Sequence, residues 1–447
     1  MTSNFLPFPP QASRLGFHYF QDSYHYRESD LAKWVPELTA MGISWLVLKS
    51  PIDRAIPEPF VRGIVDAGIE PLIDFDLPLA KPVSQSDLSL LFKAYARWGA
   101  HGVMLFDRPN VYQSWTKATW ARQDLVERFL DRFLPIAATA VEEGLIPLLP
   151  ALEPGGSYWD TSFLKSMLSS LVRRNPANLL EKLVISAYAF NHHHDLNWGA
   201  GGAQKWSGAR PYFTPPDQQD HLGFRIMDWY REISLTVLER ECPIILFGAG
   251  VPADPFKEPA GSYSPDEHLQ IHKDISDLLD LVPDTAQEET GSPEIRVPSN
   301  VIACNFWTLS SEPDGIGASQ AWYGSPKDYS GTIQAFKEIN SKSRQQSNSK
   351  SNPSQDSDHP IDHYLLLPSF DWGVADWHLE VIRPFVKKHL ATVGFSLDEA
   401  KLARNVTIIG NHQSFSDTQV EKLILSGCKI RRIVGDGTSI ATQLAER

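Results

Sequence analysis

Carboxyl side chains stand where several apolar runs of this sequence end: Asp74 and Asp76 close EPLIDFD, Asp107 closes HGVMLFD and Glu153 closes LIPLLPALE. Two carboxyl groups facing one another can cleave a glycosidic bond, at about 5–5.5 Å separation by the retaining route or about 6.5–9.5 Å by the inverting one. Asp107 paired with Glu153, or with Asp76, is the set able to do this here. Cations intrude on it, because Arg108 directly follows Asp107 and Lys49 ends the run SWLVLKS. Acidic residues at such ends also cap the following helix or pair with a nearby base, and Arg108 and Lys49 are the bases at hand.

Other chemistries have less support. The histidines of NHHHD (191–195) are consecutive, so they cannot all converge on one ion from an ordinary loop, and no spaced third ligand accompanies them. No metal is expected. Cys242, Cys304 and Cys428 lie far apart, in or beside apolar runs, as small buried side chains do. The stretch HYFQDSYHY after the first apolar run lacks the glycines of a phosphate-binding turn, so no nucleotide cofactor is expected either.

The elements that must carry these residues repeat one beat. LGFHYF (15–20) precedes a helix with Leu31, Trp34, Val35, Leu38 and Met41 on one stripe, which Gly42 ends before SWLVLKS (44–50). Further runs follow at 70–76, 101–107, 145–153, 182–190, 243–250 and 301–309, and a strong helix spans Leu125 to Val141. Near-continuous apolar strands alternating with helices mean a parallel sheet buried on both faces. Eight such units predict an α/β fold, a (β/α)8 TIM barrel over residues 1–340. In such a barrel the strand C-termini carry the chemistry, which brings His18, Lys49, Asp74, Asp76, Asp107, Arg108, Asn110, Glu153, Tyr188, Gly248 and Trp307 to one mouth.

Residues 341–360 are rich in Ser, Asn and Gln and poor in apolar side chains, a composition that predicts a flexible polar linker. A second polar stretch, 284–294, reads as a surface insertion. Residues 361–447 then hold three apolar runs with helices between them, a small α/β three-layer (Rossmann-like) domain. A formal net charge of −13 argues against a nucleic-acid partner. No segment reaches the length of a membrane span, and the opening MTSNFLPFPPQASRLGF lacks a basic region followed by a long apolar one, so a cytoplasmic protein is expected from that stretch.

The order LxxMGIxWLVL, FDRPNVYxxW, ISAYAF, PIILFGAGV and NFWTL over residues 13–340 resembles the clan A retaining glycosidases, a barrel superfamily. The resemblance implies an Asn-Glu-Pro end to strand four, its glutamate the acid/base, and a Thr-Glu-x-Gly end to strand seven, its glutamate the nucleophile. Asp107 falls at the asparagine, Arg108 at the acid/base, Phe247 at the threonine, Gly248 at the nucleophile and Gly250 at the family glycine. Tyr188 resembles the strand-six tyrosine and Trp307 the tryptophan beneath the sugar. Arginine stays charged and cannot cycle a proton, and glycine has no side chain, so both catalytic positions are degenerate.

What the resemblance then implies is a pseudo-glycosidase: a carbohydrate-binding barrel that does not hydrolyse. Its partner would be an oligo- or polysaccharide, touched by Asp107, Arg108, Asn110, Glu153, Tyr188 and Trp307. Arg108 could favour an acidic sugar through a two-pronged contact. Trp115, Trp159, Trp198, Trp206, Trp307 and Trp322 follow strand ends and suit sugar faces, although each can equally be a loop anchor. An active glycosidase with relocated acids, Asp107 with Glu153 or Asp76, is the alternative. A scaffolding protein whose mouth is filled by Trp307 and Trp198 is a second.

The stretch from Asn405 to the end resembles one copy of the bacterial cell-wall-binding repeat of type two, with Gly410, Ser416, Asp417, Gly435, Thr438 and Ala441 at the matching positions. That implies attachment to anionic wall polymers at a bacterial cell surface, normally through three tandem copies where this chain has one. Gly435 to Thr438 can offer backbone N–H groups to an anion, or be a strand-to-helix turn with Thr438 as cap.

Overall fold

In a computed structural model of the protein, the structure describes residues 8–206, 221–251, 263–280, 296–315, 317–350, 359, 361–368, 381–383, 385–386, 391–412 and 414–445. They fall into two compact units, Met1–Arg344 and Gln345–Arg447.

The first unit is the expected barrel. Its strands are Leu15–His18 (β1), Trp45–Ser50 (β2), Glu70–Phe75 (β3), Gly102–Met104 (β4), Ile146–Leu148 (β5), Ile185–Phe190 (β6), Ile244–Gly250 (β7) and Val301–Phe306 (β8). They pair in parallel in the order β5-β4-β3-β2-β1-β8-β7-β6. β5 and β6 close the ring through little: a single bridge between Leu152 and Ala187, and the Leu149 N–H donating to the Val184 carbonyl at 3.0 Å.

Alternation along the strands explains why they read as unbroken apolar runs. In β2, Trp45 and Val47 join an inner core with Leu72, Met104, Ile146, Leu148, Ile245 and Phe247, while Leu46 and Leu48 face the helices in a separate outer core. Phe8 closes the inner core where the strands begin, edge-on to Trp45 with ring centroids 5.2 Å apart. The register sets Lys49 opposite Asp74 at the other end, the two inward positions above Val47 and Leu72. Helix Leu125–Glu142 buries Leu125, Phe129, Leu130, Phe133 and Ala137, the stripe expected from its spacing.

Helix Ser330–Lys350 continues ten residues into the segment expected to be a linker. Ile333 and Phe336 anchor its first turns in the core, and the Lys, Arg and Gln that follow are good helix formers that let it run on without an apolar face. Residues 351–358 of that segment, and the insertion at 284–294, lie outside the described residues. Among the described residues no helix is long and apolar enough to cross a membrane.

The second unit is a four-stranded parallel sheet, Ile361–Leu366 (β9), Thr392–Gly394 (β10), Ala403–Ile409 (β11) and Lys429–Ile433 (β12), in the order β10-β9-β11-β12. Its three-layer build shows in β9: Tyr364 and Leu366 join a core with Leu423, whereas Leu365 and Leu367 join another with Ile440 and Leu444. Helix Asp417–Leu425 opens on a Ser416–Gln419 capping box. Before Gly437–Ala445, the cap is Asp436, whose Oδ1 accepts the Ser439 N–H at 2.9 Å; Thr438, expected there, already lies inside the helix. β10 escaped the sequence because three residues at a sheet edge carry no period.

Candidate functional site

The loops after β4 and β5 build the centre of the mouth. Leu105 and Phe106 stay buried beyond β4, and the Arg108 N–H then donates to the Ala151 carbonyl at 3.0 Å, fastening one loop to the other. Arg108 takes a left-handed backbone, φ 43°, which a side chain bearing Cβ adopts only under strain. Its Nε lies 2.8 Å from Glu153 Oε2, its terminal nitrogen 3.8 Å from Asp107 Oδ2, and its guanidinium carbon 4.3 Å from the centre of the Tyr188 ring. The Tyr188 hydroxyl donates to Asp107 Oδ1 at 2.8 Å. Five of the residues expected in the mouth thus divide clearly: Asp107, Arg108, Glu153 and Tyr188 form one connected group, and Asn110 does something else.

Asn110 was expected to touch a ligand, but it is fully buried and staples the loops. Its amide donates to the carbonyls of Glu153 (2.8 Å) and Tyr158 (2.9 Å) and accepts the Glu153 N–H (2.9 Å). A buried amide satisfied on both ends by backbone positions the loop that bears Glu153; it does not reach into the mouth.

Gly248 pairs with Tyr188 across β6 and β7, just after an irregularity in register. A Cβ at position 248 would stand 2.9 Å from both Phe190 Cζ and Tyr188 Cδ1. Tyr188 and Phe190 are stacked, 5.8 Å apart. The two rings occupy the space that a side chain at position 248 would need.

Below this group lies an ion pair that the sequence placed at the strand ends without marking it as part of a site. Lys49 Nζ meets Asp74 Oδ2 at 2.7 Å. Burial pulls the Lys49 ammonium down, but the carboxylates of Asp74, Asp107 and Asp76 outweigh it and hold it above the ordinary lysine value. Burial likewise raises the Asp74 carboxyl, against the pull of Lys49. Asp76 itself is exposed. His18 is buried under Trp307, ring centroids 4.5 Å apart. Burial, with Lys49 and Arg108 adding to it, lowers its imidazole to about 3, so the ring is neutral at pH 7.

The remaining expectations sort by burial. Trp115 and Trp322 are core residues; Trp198 and Trp307 are half-buried, Trp307 packing against the inner core; Trp159 and Trp206 are exposed. The loop histidines diverge: His193 stacks on Tyr263 at 4.0 Å and His194 lies against Trp198 at 4.3 Å. Among the described residues no group of three or more His, Cys, Asp or Glu is placed to hold a metal ion. All three cysteines are free and buried.

No family model matches the chain, and no curated protein matches it. Solved structures do. One is a family 39 glycoside hydrolase from the gut symbiont Bacteroides cellulosilyticus WH2, 12% identical with a TM-score of 0.46 over 73% of this chain and 63% of that one. The chain therefore spans less than two thirds of that protein. A monomeric beta-xylosidase from Caulobacter crescentus CB15 is 12% identical with a TM-score of 0.44, over 73% of this chain and 68% of that one. A fructose-bisphosphate aldolase from Plasmodium falciparum also matches, 12% identical with a TM-score of 0.37, over 71% and 79%.

Proposed function

We propose that this protein is a glycoside-hydrolase-like barrel that binds a carbohydrate at its mouth without cleaving it, and that the C-terminal unit attaches it to a cell-wall polymer. The observation that supports non-catalytic binding most directly is the placement of Arg108. It takes the position where a proton donor would act, and its guanidinium engages both nearby acids, Asp107 and Glu153. Retaining hydrolysis needs a second carboxyl across the sugar, and Gly248 is overlaid by Tyr188 and Phe190.

Charge shifts the expected ligand away from acidic sugars. Asp74, Asp76, Asp107 and Glu153 face Lys49 and Arg108, two more carboxylates than cations, and both cations are already ion-paired. A uronate would enter against this field, whereas a neutral sugar meets hydrogen-bonding groups and the half-buried face of Trp307. Calorimetric titration with neutral and uronic-acid oligosaccharides tests this: binding of a neutral chain with weaker binding of its uronate counterpart is expected, and no heat with either class overturns it.

One observation keeps hydrolysis open as a second reading, namely that Asp107 and Glu153 flank the same guanidinium. Turnover of any aryl glycoside or polysaccharide that is abolished by Asp107→Asn or Glu153→Gln would establish it. Co-sedimentation of the full chain with purified bacterial walls, stripped or not of anionic polymer, checks the attachment role; equal pelleting in both removes it.

A further inference from the structure

His25 stands between two carboxylates that come from different loops of the mouth. Its Nδ1 lies 2.8 Å from Asp22 Oδ1, within the loop after β1, and its Nε2 lies 2.8 Å from Glu312 Oε1, in the loop after β8. Phe20 stacks on the ring, centroids 3.9 Å apart and planes 14° from parallel, which fixes the direction in which both nitrogens point. A neutral imidazole has one N–H and only the imidazolium has two, so both contacts are hydrogen bonds only while the ring is protonated. Burial works against that proton, but the carboxylates of Glu312 and Asp22 outweigh it and hold the ring above its ordinary value of 6.5. The roots of the two loops do not depend on this contact, because the Leu309 N–H and the Thr308 hydroxyl both donate to the His18 carbonyl, at 2.7 and 3.0 Å.

We propose that His25 is a proton-operated latch: protonated, it ties the tip of the loop after β8 to the loop after β1 through Glu312, and deprotonated, it lets that tip go. The proton that leaves is the one facing Glu312. Asp22 is three residues away in the same turn and also accepts the Tyr24 N–H at 2.9 Å, so its contact orders little extra chain. Glu312 is 64% exposed and 287 residues away, and a bare Nε2 lone pair repels its carboxylate. Asp22 and Glu312 are the charges that act on the ring directly. Around them, Arg54 donates to the Ser23 carbonyl at 3.3 Å and lies over Tyr24, Asp30 accepts the Arg27 N–H, Lys33 lies over Trp34 beyond Phe20, and Asp314 is exposed. The sign is opposite to that of the buried histidines. The folded-state value lies above 6.5, so the tie is complete below that pH and is lost as pH rises through the raised value. The latch works on the mouth whatever ligand the mouth takes.

The test is NMR titration of the full chain labelled at its histidine rings, with His25→Gln assigning the signal and Glu312→Gln removing the charge across the gap. Wild-type His25 is expected to titrate above 6.5, and Glu312→Gln to lower its proton affinity about 2- to 5-fold, the span of a partly exposed ion pair. Amide exchange of residues 311–315, corrected for its intrinsic pH dependence, is read on the same samples at about pH 6 and about pH 9. Wild type is expected to lose about 2- to 5-fold in protection between the two, and both variants to lose most of that step. Glu312 is exposed, so its variant is expected to fold, and the wild-type titration decides without it. A His25 that titrates at or below 6.5, a Glu312→Gln value equal to wild type, or a loop whose protection is the same at both pH values overturns the latch. None of these outcomes touches the carbohydrate reading, which the titrations with oligosaccharides decide.

Discussion

Replacing Arg108 by glycine and by alanine separates what its contacts contribute from what its backbone withstands. Both substitutions remove the ion pairs with Glu153 and Asp107, which are partly exposed and contribute about 0.5–1 kcal/mol together, and the Tyr188 contact, worth about 0.5–1 kcal/mol. Alanine keeps the left-handed strain of φ 43° and so loses about 1–2 kcal/mol relative to wild type. Glycine relieves roughly 1–2 kcal/mol of that strain and gives back about 0.4–1 kcal/mol through its freer unfolded chain. Arg108→Gly is therefore expected to be more stable than Arg108→Ala by about 0.5–1 kcal/mol. For a barrel of this size that is about 1–3 °C in the melting midpoint. The assay is paired thermal melts at one scan rate, with urea midpoints as a second measure. An alanine variant as stable as glycine, or more so, refutes the claim that Arg108 is held in strain by Glu153, Asp107 and Tyr188.

Rebuilding the catalytic frame is expected to fail for a steric reason. Gly248→Ala already presses Cβ to 2.9 Å from two aromatic rings and is expected to destabilise by about 1–3 kcal/mol in urea unfolding; Arg108→Glu/Gly248→Glu is expected to show no turnover of aryl glycosides. Acid is expected to weaken the barrel. Burial lowers His272 to about 4 and His18 to about 3, and drives His268 lower still. The unfolded chain protonates near the ordinary value of 6.5, so the stability these neutral rings contribute is full above that pH and falls as pH drops toward 4 and 3. The slope is at most about 1.4 kcal/mol per pH unit for each histidine. Urea midpoints between pH 7.5 and 4.5 check it, and His272→Leu is expected to flatten the slope.

The barrel was legible because burial on both faces leaves its strands as unbroken apolar runs, as in β2 and β7, and because turn and helix signals fall between them. That positions 108 and 248 carry Arg and Gly rather than carboxylates was legible too, since it depends only on which residues follow the strands. Other features depend on neighbours far away in the chain. Asn110 looks like a polar mouth residue until its partners at Glu153 and Tyr158 are known. The Lys49–Asp74 pair needs the β2–β3 register, and the filling of the Gly248 space needs the Tyr188 and Phe190 rings across the sheet. The helical first half of the expected linker was missed because composition reports the absence of a core-facing stripe, whereas a helix already nucleated can extend through residues of good propensity.

The meagre junction between β5 and β6 leaves those two strands at the ends of the eight-strand order, with every other neighbouring pair joined as a parallel ladder. Local opening follows the weakest hydrogen-bonded boundary, so amide exchange in the barrel is expected to begin along Leu149 to Leu152, while β2–β3 and β6–β7, each joined along six residue pairs, are expected to hold longer. Arg108 and Glu153 are rooted beside that hinge line, and Gly248 lies one strand beyond it. The loops that bear Arg108 and Glu153 thus stand on the part of the wall expected to yield first, whereas Lys49 and Asp74 stand on a pair of strands joined along their whole length.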